Sequence, residues 1–231
     1  MNTDAPLSRN TTGIDWLLAL AALAVAGTYV RAIFFTPIEA LQGPAQKIFY
    51  MHAPAAWVAF LAFGLVAIAG GLYLWLRDGR LDRFAESSAE VGLLFTTVVL
   101  ITGPLWGRPV WGTWWTWDAR LTLTLFLWFI YLGYLLLRGA VDDHVLRARY
   151  SAVLGILGAL LIPFIHLSVY LFRTLHPQPI VMKPSRPSLP DDMLVTLLIA
   201  FLSFTLLYAA FVRARYRYAV VRDAAELLER N

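Results

Sequence analysis

Six apolar runs dominate this chain, at residues 14–35, 54–76, 91–105, 121–137, 152–172 and 193–212. A helix needs about 20 mostly apolar residues to cross the hydrocarbon of a bilayer, and inside lipid it must satisfy every backbone hydrogen bond within itself. The third run is the shortest and is expected to begin earlier, within 87–90. Barrel strands of the outer-membrane type alternate in hydropathy and do not form solid apolar runs of this length. The expected fold class is therefore all-α integral membrane, with six transmembrane helices in a single domain over 1–231. The composition agrees, at 59% hydrophobic and 15% charged, where soluble domains carry about 25% charged residues. The first run is too long for a signal-peptide core and lacks a small-residue cleavage site, so it reads as a retained helix.

An even number of spans puts both termini on one side. Twelve Lys and Arg residues, Arg9 and Arg230 among them, fall on that side, against seven in the odd-numbered loops. Short loops rich in Lys and Arg stay in the cytoplasm. Both termini are thus expected to be cytoplasmic, and loops one, three and five external. The absence of cysteine excludes disulfides and thiolate ligands. No G-x-x-x-x-G-K-[ST] segment is present, which excludes ATP hydrolysis through a phosphate-cradling loop. The net charge of +4 suits an anionic leaflet better than nucleic acid in a chain that lies mostly in lipid.

Loop three, about 105–122, carries the unusual chemistry. Trp106, Trp111, Trp114, Trp115 and Trp117 place five of the nine tryptophans within twelve residues. Tryptophan at the headgroup level anchors membrane proteins, and that reading stays open. Five indoles set among Gly107, Arg108, Gly112, Asp118 and Arg120 point further, to a platform for a large flat aromatic ligand. Asp118 reads as the N-cap of the fourth span. The two glycines read as turn residues, or as places where backbone approaches a flat ligand.

Parity puts loops one and five on the same face. His52 stands two residues before Pro54, which reads as the first turn of the second span, and His176 follows the fifth span in a proline-rich loop. Either imidazole alone is as readily an interface residue. At the depth of a tryptophan platform the pair reads as axial ligands of haem iron. Arg108, Arg120, Arg173, Lys183 and Arg186 are available to haem propionates, since an arginine fork matches a carboxylate. His144, beside Asp142 and Asp143, reads as solvated. His166 lies ten residues before His176, about 15 Å of helix, and reads as an interhelical hydrogen bonder with Ser168 a candidate partner. A cytochrome b-type electron-transfer subunit is the rival reading. It needs histidine pairs inside the spans, and only His166 qualifies. A permease or docking subunit would bind no haem.

The elements Trp106-Gly107, Trp111-Gly112, Trp114-Trp115, Trp117-Asp118 and Arg120-Leu121-Thr122 resemble the tryptophan-rich WWD signature of haem-handling proteins in cytochrome c biogenesis. Span number, chain length, the His52-Ala53-Pro54-Ala55-Ala56 segment and the Thr174-Leu175-His176 segment make the whole chain similar to the CcmC family. That resemblance implies haem b carried as cargo on the periplasmic face of the bacterial inner membrane. His52 and His176 would ligate the iron, with 106–120 as the platform. It implies a handling protein rather than an enzyme, one that presents haem to the chaperone CcmE. The expected co-workers are CcmA and CcmB, which would hydrolyse ATP, and the small membrane protein CcmD.

Overall fold

The computed structural model describes residues 15–181 and 183–229, so Arg9, Ile14 and Arg230 lie outside the described residues. Six helical segments are long and apolar enough to cross a membrane. They comprise α1 (Trp16–Val30), α2 (Phe49–Leu76), α3 (Gly79–Trp111), α4 (Ala119–Ala140), α5 (His144–Ala159) with α6 (Leu161–Leu171), and α7 (Asp191–Glu229). No strand occurs among the described residues.

Four aspartates start four of these helices. Asp15, Asp78, Asp118 and Asp143 each accept a hydrogen bond from a backbone N–H of the first turn, groups that have no partner within the helix. The turn between α2 and α3 is closed by Arg77 in the left-handed conformation, its N–H donating to the Tyr73 carbonyl at 2.9 Å. At the other end of α3, Gly112 (φ 76°) does the same, donating to Arg108 O at 3.0 Å. A positive φ costs glycine least.

Three boundaries differ from the sequence reading, each for a tertiary reason. A 3-10 turn over Pro44–Ile48 leads into α2, so His52 lies within the helix rather than ahead of it. Pro44, not Pro54, takes the first-turn position where a missing N–H is harmless. The third span begins at Gly79 because its acidic face is paired. Arg138 of α4 binds Asp82 through two bonds of 2.6 and 2.9 Å and Glu86 at 3.1 Å, and Arg222 of α7 binds Glu86 at 2.7 and 2.9 Å. The same helix runs on through Pro104 and Pro109 to Trp111. An interior proline costs about 3 kcal/mol or more. Burial of Trp106 against Phe49 and Tyr50 offsets this by about 4–6 kcal/mol, from some 150–250 Å² of indole surface.

The bundle is wound around α2, which packs on α3, α5 and α7. Helices approach closely where side chains are small. Gly92 of α3 faces Ala62 and Phe63, Gly70 of α2 faces Ala152, and Gly155 of α5 faces Val66. Between α2 and α4 the Phe63 and Tyr131 rings stack at 3.6 Å, and the Tyr131 hydroxyl donates to Gly155 O at 2.8 Å. The fifth span breaks at Leu160. Pro163, three residues on, has no N–H for the Ala159 carbonyl. Its first half, α5, packs on both α2 and α4, whereas its second half, α6, packs on α4 alone of the two.

Candidate functional site

The first turn of α2, the last turns of α3, the loop before α4 and the loop after α6 meet at one end of the bundle. They enclose a cavity of about 830 Å³, within the ~300–1,000 Å³ of small-molecule and cofactor sites. Its wall includes His52, Trp106, Trp111, Trp114, Trp115, Arg120 and His176. The aromatic members form a ladder: His52 to Trp106 at 5.8 Å, Trp106 to Trp111 at 6.3 Å, and Trp111 to His176 at 6.5 Å between ring centroids. Two indoles thus join the two imidazoles. Trp106 and Trp111 stand on α3, not in a loop, five residues apart. Trp106 is fixed by its Nε1, which donates to Gln42 Oε1 at 3.0 Å.

Both imidazoles are oriented by their Nδ1. His52 Nδ1 lies 2.9 Å from Thr102 Oγ1. The Thr102 hydroxyl spends its own proton on Val98 O at 2.7 Å, so toward His52 it accepts. His176 Nδ1 lies 3.1 Å from Pro177 O, and a carbonyl only accepts. In each ring Nδ1 therefore carries the proton and Nε2 keeps the bare lone pair, the form that binds a metal. Burial, and after it the Arg120 cation, push the His176 pKa down to about 4. Water that reaches the partly exposed ring through the cavity works against that shift.

The family described as Heme exporter protein C matches residues 4–230. The chain belongs to the heme exporter protein C family. Named relatives include Heme exporter protein C of Bradyrhizobium diazoefficiens, 39% identical over 94% of this chain and 82% of the relative. That of Haemophilus influenzae is 38% identical over 91% and 86%, and that of Escherichia coli K12 is 36% identical over 71% and 66%.

In this chain three candidate residues stand off the cavity wall. Arg108 is exposed and donates to the Gly112 carbonyl, closing the end of α3. Trp117 is 76% exposed and meets Trp115 edge-on at 5.7 Å. Asp118 joins two loops: Oδ1 accepts from Leu121 N at 3.0 Å, capping α4, and Oδ2 accepts from Leu175 N at 3.3 Å. Of the five cations assigned to propionates, Arg120 alone lines the cavity, and its buried Nη1 has no partner among the described residues. His144 is half-exposed and within 3.5 Å of Glu226. His166 lines the cavity, and Ser168 donates to Ile165 O rather than to it.

Thr102 and Gln42 escaped the sequence reading. Thr102 lies four residues before Trp106, one helical turn away on the same face. That signal becomes visible only once α3 is continued past Pro104.

Proposed function

We propose that the chain binds haem as cargo in this cavity and holds it for delivery during cytochrome c maturation. The supporting observation is that His52 and His176 line one cavity, each with Nδ1–H held by an oxygen and Nε2 bare. Two neutral imidazoles suit axial ligation of haem iron. Trp106 and Trp111 offer a flat apolar flank to the macrocycle, and Trp114 and Trp115 extend it. Arg120, whose Nη1 has no partner among the described residues, answers a propionate.

The cargo on this reading is haem b. The site faces the periplasm from the bacterial inner membrane, with both termini cytoplasmic. CcmE receives the haem, with CcmA, CcmB and CcmD as co-workers and ATP hydrolysis on the ATP-binding-cassette pair. This chain handles haem rather than acting as an enzyme on it. It orients the ring, excludes lipid and water from its faces, and leaves the cavity mouth open to a recipient.

The test is an absorption spectrum of the purified protein supplied with haem, as wild type, His52→Ala and His176→Ala. A six-coordinate bis-imidazole spectrum that changes in both variants is expected. Identical spectra in all three would place the ligands elsewhere and defeat the proposal.

A further inference from the structure

The cavity is closed toward the middle of the bundle and open at its side. Beneath its floor of Thr96, Val99, Leu127 and Ile165, the stacked Phe63 and Tyr131 rings fill the space between α2 and α4. Further along, Gly92 fits against Ala62 and Phe63 with no room for a methyl group. The Arg138–Asp82–Glu86–Arg222 network ties α3, α4 and α7 at the far end. No path for a macrocycle runs through such packing.

The side differs because the fifth span is broken. α5 packs on both α2 and α4, but after Leu160 the chain keeps only the second of these partners: α6 packs on α4 and draws away from α2. Ala56 and Phe60 of α2 and Ile162, Pro163, His166 and Leu167 of α6 all line the cavity across this separation. Pro163 and Leu167 are at once cavity lining and lipid-facing, Leu167 being 46% exposed. The lips are apolar apart from His166. That imidazole lies five residues inside the end of α6, about 8 Å below it.

Resting on the haem reading, we propose that the cavity is loaded sideways from the bilayer through the gap between α2 and α6. His166 takes the iron first. A tetrapyrrole with an apolar rim and two carboxylates partitions into lipid with its carboxylates toward the headgroups. Sliding between Ala56 and Leu167, it brings the iron to His166 depth before its propionates reach Arg120. Transfer upward is a ligand exchange: the Fe–N bond to His166 breaks as that to His52 or His176 forms. No electron moves and no proton is released, since the receiving Nε2 atoms are already bare.

The experiment reconstitutes the full chain in phosphatidylcholine vesicles. It follows the growth of the bis-imidazole spectrum when haem is dissolved in the bilayer, or offered from water on serum albumin. Ala56→Trp narrows the gap and should slow loading from lipid about tenfold more than loading from water, the effect of a modest added barrier. In the His52→Ala/His176→Ala background, haem from lipid should remain bound with a single-histidine spectrum that His166→Ala abolishes. Thermal midpoints matching the parent's certify the fold of each variant. Loading of Ala56→Trp from lipid at the wild-type rate, or equal slowing by both routes, overturns the sideways route. A His52→Ala/His176→Ala protein that keeps no haem overturns the role of His166. A wild type that takes haem by neither route fails the haem reading itself, a separate outcome.

Discussion

Replacing Thr102 by valine keeps the shape of the side chain and deletes one hydroxyl. Thr102 is 6% exposed, and its oxygen receives the His52 Nδ1 proton at 2.9 Å while donating to Val98 O at 2.7 Å. The Val98 carbonyl belongs to a helix and keeps its backbone bond. The loss therefore falls on Nδ1–H, a buried donor left without an acceptor, at roughly 1–3 kcal/mol. The ring then gains by rotating or by moving its proton to Nε2, and either change spoils the lone pair offered to iron. Loss of such a partner typically weakens metal binding about 10–100-fold, about 1.4–2.8 kcal/mol, in line with the hydrogen-bond figure. Haem titration followed by absorbance gives the ratio of Kd values directly. Thr102→Ser, which keeps the oxygen, should stay near wild type. An unchanged Kd in a folded Thr102→Val protein would refute the orienting role of this hydroxyl.

An acid titration reads His176. Its pKa of about 4 lies below the ordinary 6.5, so folding favours the neutral ring. That contribution to stability is whole above 6.5 and fades as pH falls toward 4, and no proton competes with iron for Nε2 until pH nears 4. Haem release governed by this ring should have its midpoint at or below about pH 4, since bound iron holds Nε2 against the proton, and a midpoint near 6.5 would contradict the assignment. Arg120→Gln should weaken haem binding about tenfold, the lower end for a charged hydrogen bond. Haem dimethyl ester should not distinguish the variant from wild type, and equal losses for both ligands would remove the propionate contact. Gly92→Ala would bring a Cβ within 2.6 Å of the Phe63 ring and 2.9 Å of the Ala62 methyl. Overpacking of this kind costs about 1–3 kcal/mol; the thermal midpoint should fall, and an unshifted midpoint would mean that α2 and α3 separate freely.

The six spans are legible in the sequence because lipid leaves a backbone few choices. The Asp118 cap is legible too, since its partner is three residues away. Its second oxygen is not: Leu175 is 57 residues distant, and no local pattern announces the contact. Arg108 and Arg120 look interchangeable as letters, two cations flanking one tryptophan run. The left-handed Gly112 gives Arg108 a carbonyl to close, while the register of α4 leaves Arg120 facing the cavity. The continuation of α3 past two prolines was hidden for the same reason. Phe49 and Tyr50, which bury Trp106, belong to another helix.

The two imidazoles are mounted differently. His52 rides on a helix of 28 residues and is pinned by a neighbouring helix. His176 hangs from a loop, held by the carbonyl of the next residue and by the Leu175–Asp118 bond. An object gripped between a post and a clasp leaves on the side of the clasp. On the proposed haem reading, cargo held between these two rings would depart over loop five. A recipient would then not need to disturb the bundle; it would need only to spring the one carboxylate, Asp118, that pins the clasp to the tryptophan run.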